Sequence, residues 1–138
     1  MPLLEQVLDK NPKTVKLVYK NFPLGSHKFA AKSAAAAIAA GDQGKFWEFH
    51  DLLFENYNKI NDQKITEIAQ TLNLDQAAFE QKLKDPKINA MIRKDSMEGR
   101  LIGVRGTPTL FVNGRRLKDR SLNGFQRVID SELRKLQK

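Results

Sequence analysis

The sequence predicts an α/β domain with a block of helices inserted between its strands. Three observations predict it. "TVKLVYKNFPL", from Thr14, alternates apolar and polar residues with strong β-branched content. "TPTLFVNGRRLK", from Thr107, places an Asn-Gly turn between an apolar run and a second short run, the pattern of a tight hairpin. Between them lie capped segments with helical apolar spacing. The expected order is α-β-ααααα-β-β-α, the layout of a domain whose strands are interrupted by helices.

Each element has a local reason. "PLLEQVLDKNP" sets Leu3, Leu4, Val7 and Leu8 on one side of a short helix that Asn11-Pro12 stops. The strand over Thr14–Phe22 points Val15, Leu17 and Tyr19 one way, and Pro23 ends it. Ser26 is the expected cap of "HKFAAKSAAAAIAAG", whose alanines favour helix and whose Gly41 closes it. "GKFWEFHDLLFENY" has Phe46, Phe49, Leu53 and Tyr57 at helical spacing. Asn61 or Asp62 caps "KITEIAQTLNL", and Asp75 caps "QAAFEQKL". Asp85-Pro86 opens a helix that runs through Ile88 and Ile92 toward Ile102. After the hairpin, Ser121 caps a last helix with Leu122, Phe125, Ile129, Leu133 and Leu136 on one stripe.

Composition narrows the function classes. A chain of 138 residues with 41% hydrophobic and 29% charged residues holds one core-forming domain. No apolar run reaches the ~20 residues of a membrane-spanning helix. No basic and then apolar leader opens the chain. With no cysteine, disulfides, thiolate metal sites and a Cys nucleophile are excluded within these residues. The net charge is +8 and lies mostly in residues 93–138, which hold 12 Lys/Arg against 5 Asp/Glu. A basic surface at Arg115, Arg116, Lys118 and Arg120 could attract nucleic acid. That class is disfavoured, because zinc-finger spacing, an aromatic RNP-type strand and a basic-heptad pattern are all missing.

The stretch "VRGTPTLFVNGRRL" and the block "QGKFWEFHDLLFENY" followed by "LNLDQAAFEQKL" carry a resemblance over nearly the whole chain. They resemble the DsbA-like thiol-disulfide oxidoreductases of the thioredoxin superfamily. The resemblance implies one thioredoxin-like domain over 1–138 with a helical insertion at about 26–102. It implies a cis Thr107-Pro108 bond. It also implies a loop, Arg105, Gly106, Thr107 and Pro108, that offers backbone groups to an extended polypeptide substrate by strand addition. Such proteins work in the periplasm, cell envelope or outside the cell, and need no cofactor.

The family begins with a strand and a Cys-x-x-Cys motif at a helix start, and neither is present here. "PLLEQVLDKNP" looks like the latter half of that helix. The expectation is therefore an N-terminally truncated fold that lacks its central first strand and has no catalytic residue. Such a chain would be redox-inactive as it stands. Its unpaired strand edges could pair directly, recruit a second copy, or stay incomplete, and self-association through the exposed edges is the expected outcome. The alternative function is a non-catalytic peptide-binding module using the Pro108 loop.

Other candidates read as structural. His50 sits in a core-like pattern, and His27 stands alone. No His, Asp and Glu cluster has metal-site spacing. Gly103 and Gly106 serve backbone freedom. The resemblance gives Lys20 a place as a charge beneath the active site, and a solvated lysine is the competing reading.

Overall fold

A computed structural model describes all residues, Met1–Lys138. Its elements are helices α1 (Pro2–Lys10), α2 (Ala30–Gly41), α3 (Phe46–Glu55), α4 (Asp62–Thr71), α5 (Gln76–Leu83) and α6 (Pro86–Leu101), strands β1 (Phe111–Val112) and β2 (Arg115–Arg116), and helix α7 (Leu122–Leu136). The chain divides into two compact units. One joins Met1–Tyr19 to Gly106–Lys138, and the other is Lys20–Arg105.

The helical unit is built around α2, which packs on α3, α4, α5 and α6. Ala36, Ala37, Ala39 and Ala40 are all buried on it. Their small side chains let four helices approach one axis, a packing role added to their helix propensity. Phe49 is fully buried and stacks on Phe79 at 5.7 Å between ring centroids. Ile65, Ile68, Leu74, Ile88 and Ile92 complete this core. Asn61, Asp75 and Asp85 each accept a backbone N–H within the first turn of α4, α5 and α6. The α6 helix ends on Gly103, φ +86°, with Gly103 N–H to Arg100 O and Val104 N–H to Gly99 O. That is the six-to-one and five-to-two pairing of a glycine C-cap.

The second unit packs α1 and α7 over the hairpin. Val7, Leu117, Phe125 and Ile129 are its buried centre, with Leu4, Val15, Leu110 and Val112 against them. The hairpin pairs Phe111 with Arg116 and Val112 with Arg115 in antiparallel register. Both turn residues have positive φ, Asn113 at 47° and Gly114 at 77°, as a type I′ turn requires. Asn11 ties the end of α1 to α7. Its amide and that of Gln126 exchange hydrogen bonds of 3.0 and 3.1 Å.

Several expectations are corrected. Residues 14–22 form no strand: they make no β-bridge, and the sheet has two strands only. A strand is defined by ladder bonds to a neighbour, and no strand lies beside this segment. Its alternation survives in burial at Val15 and Leu17, half-buried while Lys16 and Val18 are exposed, but not at Tyr19, which is exposed. The segment also does not pair with β1, so direct closure of the two edges does not occur. Of the apolar run that opens the hairpin stretch from Thr107, only Phe111–Val112 is strand. Ser26 is not the cap of α2, which starts at Ala30 after Phe29 with no side-chain cap. Gly41 is the last residue of α2, as expected, and the left-handed turn that follows is made by Gly44, φ +72°. Tyr57 and Leu136 continue helical stripes but are 78% and 79% exposed, because each lies at or past its helix end.

Candidate functional site

The loop before β1 is shaped by its own residues. Thr109 Oγ1 donates to Gly106 O at 2.7 Å, a side-chain closure of the Gly-Thr-Pro-Thr turn. The Thr107-Pro108 bond is cis, as the resemblance implied. Thr107 and Pro108 are exposed, and Gly106 is half-buried. The Thr107 backbone N–H and C=O take part in no backbone hydrogen bond within the chain. From Leu110 the chain enters the hairpin, where Leu110 O accepts from Leu117 N–H at 2.8 Å. Ladder bonds thus resume three residues after Thr107. Gly106 has no positive φ, and a Cβ there would meet open space. Its identity is not forced by this backbone.

A second segment reaches the loop. Arg120 Nη1 donates to Pro108 O at 3.4 Å. Arg120 stands in the turn between β2 and α7, and local bonds fix that turn. Asp119 Oδ1 accepts the Ser121 N–H at 3.0 Å, and Ser121 Oγ accepts the Gly124 N–H at 3.0 Å as the cap of α7. The Ser121 hydroxyl and N–H, with Arg127 nearby, hold the Asp119 carboxyl below its ordinary value.

The remaining sequence candidates fall elsewhere. Arg105 is exposed and belongs to the helical unit. His50 is buried, in ring contact with Phe46, Trp47 and Phe54, and its Nδ1 lies 3.1 Å from Asp51 Oδ1. His27 is exposed. The Lys20 side chain is 61% exposed and pairs with Asp95 and Glu98 at 3.4 and 3.3 Å. Glu98 first, and then Asp95, raise its pKa. A buried lysine is therefore not what the fold makes of it. Arg115 is committed to Glu132 at 3.0 Å, which breaks the proposed basic cluster. Among Arg115, Arg116, Lys118 and Arg120, only Arg120 hydrogen-bonds the Pro108 carbonyl.

These elements match a known family over residues 2–131, the model described as Thioredoxin. The chain belongs to the thioredoxin family. It is similar to solved DsbA-type structures. The thiol-disulfide exchange protein alpha-DsbA2 from Wolbachia pipientis superposes with a TM-score of 0.80 at 25% identity, covering 95% of this chain and 72% of that one. A thioredoxin-like oxidoreductase from Silicibacter pomeroyi gives 0.84 at 24% identity, covering 97% and 77%, and speaks for the fold alone. Probable disulfide bond formation protein D of Bacillus anthracis is 31% identical, covering 96% of this chain and 64% of that protein. The Na(+)/H(+) antiporter NhaA 1 of Salinispora arenicola is 41% identical over 103 residues, which are 74% of this chain and 16% of that protein. The chain thus spans less than two-thirds of each of these two relatives. Within the chain itself, no helix is long and apolar enough to cross a membrane.

Proposed function

We propose that this chain is the polypeptide-presenting part of a DsbA-type thiol-disulfide oxidoreductase, and that it performs no thiol exchange by itself. Exchange proceeds by attack of a thiolate on a disulfide sulfur. None of the 138 residues is a cysteine, so the dithiol would have to come from residues outside them. The observation that carries the presenting role is the open backbone of Thr107, exposed beside an ordered hairpin. An extended chain pairs with such groups by main-chain hydrogen bonds, with little demand on its sequence.

Two measurements test the reading. Insulin reduction driven by dithiothreitol should run no faster with the pure chain than without it. Titrating the isotope-labelled chain with an extended Ser/Thr-rich peptide should shift the amide signals of Gly106, Thr107 and Thr109. Turnover in the first, or unmoved signals in the second, refutes the corresponding half. A second copy of the chain is the competing occupant of this edge. Sedimentation over a wide concentration range separates the two, because only self-pairing makes the mass depend on concentration.

A further inference from the structure

We propose that Arg120 gives the Gly106–Pro108 loop a preference for an acidic residue in the polypeptide it holds. The inference rests on the presenting role above and adds the chemistry of what is presented.

Arg120 is the cation that hydrogen-bonds this loop; Arg105, exposed just before Gly106, makes no such bond to it. The Arg120 guanidinium meets Pro108 O, the carbonyl one residue beyond Thr107. A polypeptide paired with the Thr107 backbone therefore passes beside it. The acids of the same unit that could neutralise it are engaged. Asp119, its chain neighbour, pairs with Arg127 and accepts the Ser121 N–H. Glu132 is shared by Arg115 and Lys135 at 3.0 and 2.7 Å. Arg120 forms no ion pair of its own; its one contact is long, 3.4 Å, and goes to a neutral oxygen. A guanidinium carries five N–H donors, so most of its capacity stays unspent.

The backbone at Arg120 is fixed without help from the contact itself. The Asp119–Ser121 turn is pinned by the α7 cap and by the close approach of Gly124 to Asp119. The loop side is pinned by the bond from Thr109 to Gly106. The Arg120 backbone is thus fixed near the loop, and its side chain reaches Pro108 O before any ligand arrives. A carboxylate there would meet the N–H fork with two charged oxygens, where an amide offers one neutral oxygen and an ammonium offers no acceptor. Lys118, exposed on the same stretch, makes no ion pair or hydrogen bond to the loop.

The test uses one extended Ser/Thr-rich peptide in three versions, with Glu, Gln or Lys at its centre. Each is titrated against the chain and against R120Q, R120K and R120E, reading the Thr107 and Thr109 amides. The chain should bind the Glu version roughly two- to fivefold tighter than the Gln version, the scale of an exposed charge pair. Added salt should shrink that ratio. R120K should keep part of the preference, R120Q should lose it, and R120E should reverse it toward the Lys version. If peptides shift the loop amides but all three bind alike, or R120E leaves the order unchanged, the Arg120 assignment is overturned while the presenting role stands. If no version moves the loop amides, the presenting role fails and this inference fails with it.

Discussion

Gly124 is the position where one added carbon should do most damage. It is the third residue of α7, buried, and its N–H is the one capped by Ser121 Oγ. A Cβ built there would stand 2.5 Å from Asp119 Cγ and 2.8 Å from Asp119 Cβ, and would overlap the Asp119 carbonyl oxygen. The carbonyl belongs to the backbone, so relief requires the Asp119–Ser121 turn to move. Ala in a helix gains about 0.5–1 kcal/mol over Gly. Against this, overpacking costs about 1–3 kcal/mol, and a rigid backbone neighbour argues for the upper end. Partial loss of the Ser121 cap adds about 1 kcal/mol. The net expectation for Gly124→Ala is a loss of about 2–3 kcal/mol. It should appear as a lower urea midpoint by circular dichroism and as faster amide exchange in α7. Arg120 should also leave Pro108, so any preference for acidic peptides should weaken. An unchanged or raised midpoint would refute the steric argument, because helix propensity alone favours alanine.

Three further outcomes are expected. Asn11→Ala should destabilise by about 1–3 kcal/mol, since it leaves Gln126 Oε1 and the Val7 carbonyl without their Asn11 donor. A double-mutant cycle with Gln126→Ala checks that the two losses are not additive. Phe49→Ala, at the fully buried ring stacked on Phe79, should cost about 3–5 kcal/mol by denaturant titration. Glu132 is held below its ordinary pKa by Lys135 first and by Arg115, and Asp119 by Ser121 and Arg127. A depressed folded-state pKa stabilises fully above the ordinary carboxylate range, and that contribution fades as pH falls through the lower folded value. Carboxyl NMR titration should therefore place both midpoints below the ordinary ~4, and Glu132→Gln should flatten the acid limb of the stability profile.

What the residues reveal by themselves is what short-range chemistry decides. Asp75, Asp85 and Ser121 are read correctly as caps, and Asn61 as one of two candidates beside Asp62, because a cap is a contract between a side chain and an N–H two or three residues on. The Asn113-Gly114 turn is legible for the same reason. The strand over 14–22 fails because half of a strand's definition lies in another segment. Its alternation encodes which side faces the core, and Val15 and Leu17 obey it without any ladder. The alanines of α2 announce a helix, yet their use as the meeting point of four helices depends on neighbours that spacing cannot name.

The site divides along the same line. Gly-Thr-Pro-Thr identifies the loop, and the resemblance supplies its cis bond. Arg120 is visible in the sequence only as one of several cations in a basic stretch. Two facts single it out. It lies 12 residues beyond Pro108 yet reaches its carbonyl, and its neighbours Asp119 and Arg115 are already paired. Counting charges puts Arg115 and Arg120 in one patch; pairing them with their acids separates a structural arginine from one with donors to spare. For a chain without thiols, that separation matters more than the net charge. A peptide held by backbone bonds alone is bound with little regard to sequence, and any discrimination must come from a side chain placed beside the backbone groups. Arg120 is so placed by a turn whose geometry is fixed independently of it, so changing its charge should alter which peptide is preferred without altering whether the loop forms.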